Sequence, residues 1–173
     1  MIDSKRIKEA ESNVRHYLEE GLLRKSDDRV SLKILRKNAE DSINASQILL
    51  ENDIPLWTIV SAYYSMFYIA NAVLIKLGYK TSHRIVHKVT ADALIAIVRH
   101  KLKGKFLENY EEVQGEALKI AEVKSDELIQ NFDYERKKRN FIQYQTPEED
   151  IRNKAKTSFK RAKEFLFEME GLL

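Results

Sequence analysis

The sequence predicts an all-α fold, an up-and-down bundle of about six helices with a four-helix core. Three observations carry that reading. Apolar residues recur at three- and four-residue spacing through most of the 173 positions, the repeat of helices with one buried face. Only five glycines and two prolines interrupt the chain, which favours long helices joined by few turns. Apolar residues make up 43% and charged residues 33%, the balance of a chain that buries a core rather than stays disordered. Residues 1–173 read as a single domain, with 1–26 as a peripheral N-terminal helix.

Asp3 or Ser4 caps a first helix that runs from Ser4 to about Glu20 and stops at Gly21. Its apolar set (Ile7, Ala10, Val14, Tyr17, Leu18) is thin, so the helix should lie across the bundle or against a partner. A second helix starts near Asp27 or Asp28 and gathers Leu32, Leu35, Ala39, Ile43, Ser46 and Leu50 on one face. Asp53-Ile54-Pro55 closes it and opens a third, because proline is tolerated in a first turn. That third helix is apolar on most sides, through Trp57, Val60, Tyr63, Tyr64, Phe67, Val73 and Leu77 among others. Such a helix is central or sits at a subunit contact. It is also long enough to span a membrane, but Ser61, Ser65, Asn71 and Lys76 within it favour burial in a bundle, and no membrane partner is expected. Gly78 ends it, and Thr81 or Ser82 caps a fourth helix that reaches about Leu102. Residues 103–124, with Gly104 and Gly115, read as a variable excursion, helical or a long loop. A fifth helix begins near Ser125 and runs into Arg139. Thr146-Pro147-Glu148-Glu149 then forms a capping box for a last helix carrying Ile151, Ala155, Phe159, Ala162 and Met169.

The absence of cysteine excludes disulfides, thiolate metal sites and cysteine nucleophiles and fits a reducing compartment. No leader-like segment opens the chain, so the expected compartment is the cytoplasm. A net charge of +3 tilts weakly toward acidic partners. The segment most informative for function is Arg139-Asn140-Phe141-Ile142-Gln143-Tyr144, beside Arg136, Lys137 and Lys138. Arginine offers planar, bidentate donors suited to phosphate, and Asn140 can orient it or bind a ribose oxygen. Tyr144, with a phenol pKa near ~10, donates hydrogen bonds or stacks but is a poor base at neutral pH. The bland reading of the same residues is a solvated helix end whose aromatics dock into the bundle.

Arg136, Lys137, Lys138 and Arg139, with Arg152, Lys154, Lys156, Lys160, Arg161 and Lys163, make a basic C-terminal third. They either attract RNA or DNA or complement helix dipoles. His83 and His87 have the i,i+4 spacing of a helical metal pair, but no third ligand is near in sequence, so no metal and no cofactor are expected. The alternative is a cap or turn contact for His83 and an exposed or groove-lining place for His87. Glu108 to Glu112 is an acidic stretch that could dock a partner. No Gly-rich phosphate loop, serine elbow or paired-carboxylate signature is present.

Two segments resemble the HEPN-domain family. Trp57 to Tyr68, followed by Ala70, Leu74 and Gly78-Tyr79-Lys80-Thr81-Ser82-His83, is similar to its aromatic central helix and following turn. Arg136 to Tyr144 is similar to its late motif, an arginine often followed by asparagine, with a histidine four to six residues on. The resemblance implies a homodimer in which the late-motif arginine and histidine of two subunits meet in a cleft that cleaves RNA without metal. Carried over, the arginine falls on Arg139, the polar residue on Asn140 and the histidine on Tyr144, which departs from the pattern. The expectations are therefore an RNA- or nucleotide-binding module, a toxin-type protein with catalysis weakened or absent, a metal-independent endoribonuclease, or a structural or regulatory partner of a small nucleotidyltransferase.

Overall fold

The computed structural model describes residues 2–129 and 148–173, with side chains described for 2–121 and 149–173. Among them are six helices: α1 (Ser4–Glu19), α2 (Arg29–Glu51), α3 (Pro55–Lys76), α4 (Val86–Ala93), α5 (Gly104–Ile129) and α6 (Glu148–Glu170). The fold is the expected all-α bundle, with α3 at its centre. Local chemistry sets the early boundaries as expected. The Asp3 carboxylate accepts from the Arg6 amide at 2.7 Å and the Asp28 carboxylate from the Ser31 amide at 2.9 Å, satisfying first-turn donors that a helix leaves open.

Cross-helix contacts give the directions. Asp53 at the α2–α3 turn meets Arg152 at the start of α6, and Arg36 in α2 meets Glu170 at its end. Gln114 of α5 reaches Tyr63 of α3, and Glu112 of α5 reaches Arg161 of α6. The helices α2, α3, α5 and α6 thus alternate up and down. Fifteen of the 22 residues of α3 are buried, including Tyr63, Met66, Phe67, Ile69 and Leu74. The helix that was long and apolar enough to cross a membrane is enclosed by its own chain, 83% buried over its most apolar window. That enclosure covers most of the apolar surface of the helix. A half-exposed line remains, Trp57, Ser61, Tyr64 and Tyr68.

Three boundaries differ from the sequence reading. Residues 104–124 belong to one continuous helix, and Ser125, expected to begin a helix, lies inside it. Phe106, Leu107, Tyr110, Val113 and Ala117 are all buried at helical spacing, and their burial outweighs the ~1 kcal/mol that Gly115 costs in a helix interior. The fourth helix begins at Val86 rather than after Thr81–Ser82, because Thr81 is the last residue of a short strand. It runs on as a wider π turn over Leu94–Val98 and a 3₁₀ turn over Arg99–Lys101. The strands, β1 (Leu23–Lys25) and β2 (Tyr79–Thr81), pair antiparallel with Leu23 opposite Thr81 and tie the α1–α2 and α3–α4 connections together.

Helix α1 lies against α4 and the turn after it, burying Ala10, Val14 and Tyr17. Its anchor is Asp92, buried at 1% exposure. Tyr17 Oη donates to Asp92 Oδ2 at 2.8 Å and Asn13 Nδ2 donates to it at 3.0 Å. Arg6 Nη1 lies 2.7 Å from Asp92 Oδ1, an ion pair by distance although off the line of a hydrogen bond. The Arg6 guanidinium also grips Glu111 at 2.8–2.9 Å. Removing the cation leaves a buried carboxylate. Arg6→Ala is expected to cost about 2–3 kcal/mol, below the ~3–5 kcal/mol of a fully buried pair because Arg6 is partly exposed. Tyr17→Phe, which removes one hydrogen bond, should cost about 1–2 kcal/mol. Urea unfolding of both variants measures the difference, and equal, negligible losses would show that Asp92 does not hold α1.

Candidate functional site

The sequence-predicted segment Arg136, Lys137, Lys138, Arg139, Asn140 and Tyr144 lies outside the described residues. Helix α6 begins at the bundle end where α3 begins, as the Asp53–Arg152 pair shows. What the structure does describe is the fate of the other candidates.

The basic residues of α6 separate into two groups. Arg152 pairs with Asp53 at 2.6 Å, Lys154 with Glu116 at 3.4 Å and Arg161 with Glu112 at 2.5 Å. These cations help hold α6 to its neighbours. Lys156, Lys160 and Lys163 are exposed, and none has an acidic partner among the described residues. The acidic stretch of α5 is committed in the same way: Glu108 accepts from the Ile2 amide, Glu111 holds Arg6, and Glu112 holds Arg161. It serves the bundle's own contacts, which weakens its reading as a docking surface.

The two histidines do not form a helical pair. His83 is exposed in the bend before α4, whereas His87 sits in the first turn of α4. The helix starts only at Val86 because Ile85 holds a left-handed φ of 43°, a conformation costly for a β-branched residue. His87 packs its ring on Phe67, 4.7 Å between centroids, and beside Tyr63 and Tyr64. Its Nδ1 is 2.7 Å from the Tyr63 hydroxyl. Gln114 Nε2 donates to the His87 carbonyl at 2.9 Å and to Tyr63 Oη at 3.1 Å. A carbonyl can only accept, so this contact fixes which end of the Gln114 amide faces the pair. Tyr63 thus accepts from Gln114, and its hydroxyl either donates to His87 Nδ1 or accepts from it, according to the imidazole tautomer. The His87 Nε2 has no partner among the described residues. Burial pushes the His87 pKa below the ordinary imidazole value, and burial raises the Tyr63 phenol. Sequence reasoning singled out His87 but missed Tyr63 and Gln114 as its partners. No local signal links residues 51 positions apart.

A cavity of about 370 Å³ opens beside this cluster, between α2, α3 and the β2–α4 connection. Ile34, Tyr68 and Val86 give it apolar walls, and Lys80, Ser82 and His83 stand among its polar lining. Its size is that of small-molecule sites, which run from ~300 Å³ upward. Lys80 is already held by Asp28 at 2.6 Å and Ser31 at 3.1 Å, so its charge is largely neutralised.

The model of one protein family, described as HEPN domain, matches residues 32–172. The match spans α2 to α6 and leaves α1 and β1 outside it. Neither a curated protein nor a solved structure matches the chain.

The His87 cluster predicts a pH dependence with a definite sign. Its depressed folded pKa contributes stability that is present in full above the unfolded value of about 6.5 and is lost as pH falls from there through the lower folded value. Phe67→Ala, which opens the packed face of the imidazole to water, should move the His87 titration upward and shrink the loss. Ring-proton NMR titration reads both. A parent midpoint at or above ~6.5 would contradict the buried, neutral imidazole.

Proposed function

This chain belongs to the HEPN domain family, and on that premise we propose that it binds RNA or a nucleotide, with catalysis weakened or absent. The observation that carries the reading is the late segment of the sequence. Arg139 and Asn140 stand where the family resemblance places a phosphate-gripping pair, and Tyr144 stands where it places a histidine. A guanidinium and an amide bind phosphate and ribose without proton transfer. A phenol with a pKa near ~10 extends that binding by hydrogen bond or stacking and does not take up a proton at neutral pH. A homodimer is part of the same proposal, supported by the half-exposed aromatic line Trp57, Tyr64 and Tyr68. Light scattering across a dilution series tests it, and a strict monomer at micromolar protein would defeat it.

Titration of labelled single-stranded RNA decides the binding reading. Association should weaken steeply from low to moderate salt, and Arg139→Ala should weaken it more than Lys33→Ala on the exposed side of α2. No binding at low salt would sink the proposal. The rival reading is metal-independent RNA cleavage at the same segment, tested in excess chelator. Tyr144→His restores a group able to titrate near neutrality beside Arg139, and general acid–base catalysis contributes typically ~10²–10⁴-fold. A gain in cleavage that Arg139→Ala abolishes would mark a catalytic site lacking one base. A Tyr144→His protein that folds and binds RNA but cuts no faster than the parent would leave binding as the better account.

A further inference from the structure

The outer face of α6 carries a feature that packing does not use. Lys156, Lys160, Lys163 and Phe167 follow one another at i, i+4, i+7 and i+11. On an α-helix those positions fall within about 60° of arc and extend over about 16 Å. All three lysines are exposed, and Phe167 is 79% exposed. The Lys163 ammonium lies 5.5 Å over the half-buried Phe159 ring, so a second aromatic flanks the line. Every other base whose side chain is described in α6 turns to an acid on a neighbouring element: Arg152 to Asp53, Lys154 to Glu116, Arg161 to Glu112. Two of the acids beside the line are engaged elsewhere: Glu164 meets Lys105 at 3.7 Å, and Glu170 bonds Arg36. A row of uncompensated cations with aromatic rings in and beside it has a defined complement, a chain of evenly spaced anions that also bears planar groups.

We propose that this α6 face is a track for single-stranded RNA, with Lys156, Lys160 and Lys163 on successive phosphates and Phe167 stacked on a base. The proposal rests on the RNA-binding reading above and deepens it, because it places contacts on a helix separate from the Arg139 segment. The physics divides the labour. Each phosphate neutralised by a lysine releases counterions and steepens the salt dependence by about 0.7 in the logarithmic slope for a single strand. Base stacking on an aromatic ring adds affinity that is tolerant of sequence and carries no such salt term.

The experiment compares four full-length proteins by titration with labelled single-stranded RNA over a range of salt. They are the parent, the triple variant K156Q/K160Q/K163Q, F167A, and a control K5Q/K8Q/K33Q. The control loses the same charge from exposed positions on α1 and α2. All substitutions are solvent-facing, and thermal melts check that folding is intact. The triple variant should lower the salt slope by about 2, while the control leaves it near the parent's. F167A should weaken binding about tenfold with the slope unchanged. A parent that binds RNA while the triple variant keeps its slope and affinity overturns the track and leaves the binding reading standing. So does a triple variant no different from the control. Vesicles of phosphatidylserine and phosphatidylcholine form the last arm. If the triple variant loses vesicle binding but not RNA binding, the face is membrane-directed and the proposal fails. A parent that binds no RNA at low salt overturns both readings.

Discussion

The burial of α3 is the constraint on which the other elements depend. A helix with apolar residues around most of its circumference cannot rest on a surface with one face down. It needs cover on several sides, and α2, α5, α6 and the start of α4 supply it. Enclosure then obliges each polar group on α3 to find a partner. Asn71 does so twice, donating to the Phe67 carbonyl at 2.9 Å and to Thr90 Oγ1 at 3.1 Å, while its Oδ1 accepts from Thr81 Oγ1 at 2.9 Å. The Thr58 carbonyl accepts from Ser46 of α2. These contacts fix the β2–α4 connection and the α2 register against α3. The polar minority of the core helix thereby specifies what its apolar majority only drives together.

Charge is distributed around that core with a regularity that composition conceals. A net charge of +3 says little when positive and negative residues are nearly equal in number. What matters is which are spent. The acids of α5 are turned toward α1 and α6, and the bases of α6 that face inward meet them. Exposed pairs of this kind each contribute little to stability, up to about 1 kcal/mol. Their larger consequence here is subtraction, since the bases of α6 left over stand along its outward face.

The sequence made α1, α2 and α3 legible because cap, apolar stripe and terminator agree in each. Asp3 and Asp28 do cap, and Pro55 does open α3. The middle of the chain was harder. Gly104 and Gly115 looked like punctuation, yet Gly104 begins α5 and Gly115 sits inside it. Phe106, Tyr110, Val113 and Ala117 lie at helical spacing, but only burial against α3 and α6 gives that spacing the energy to override a glycine. The two strands had no local signal at all, since Leu23 pairs with Thr81 across the length of α2 and α3. Thr81 looked like a helix cap for the same reason. At the candidate site, residue types were legible and commitments were not: Lys154 and Lys156 look alike in sequence, and only the position of Glu116 separates them.

His87 bears on the choice between the two proposed readings, binding alone or binding with cleavage. It is the one histidine that the described fold buries against aromatic rings, and its neutral form is favoured, as a base near pH 7 requires. Tautomer decides which role Nε2 takes. With Gln114 donating to Tyr63, the Tyr63 hydroxyl either donates to Nδ1 or accepts from it. In the first arrangement Nε2 carries the proton, offers a hydrogen bond to an anion and cannot accept a proton. In the second Nε2 is free to act as a base, and the Tyr63 hydroxyl turns its own proton elsewhere. The nearest group to receive it is the Tyr110 hydroxyl, fully buried beside Tyr63 and without a well-aligned hydrogen bond. The contacts of His87 thus serve a donor or a base, and the proposed preference for binding over cleavage rests on the phenol at position 144.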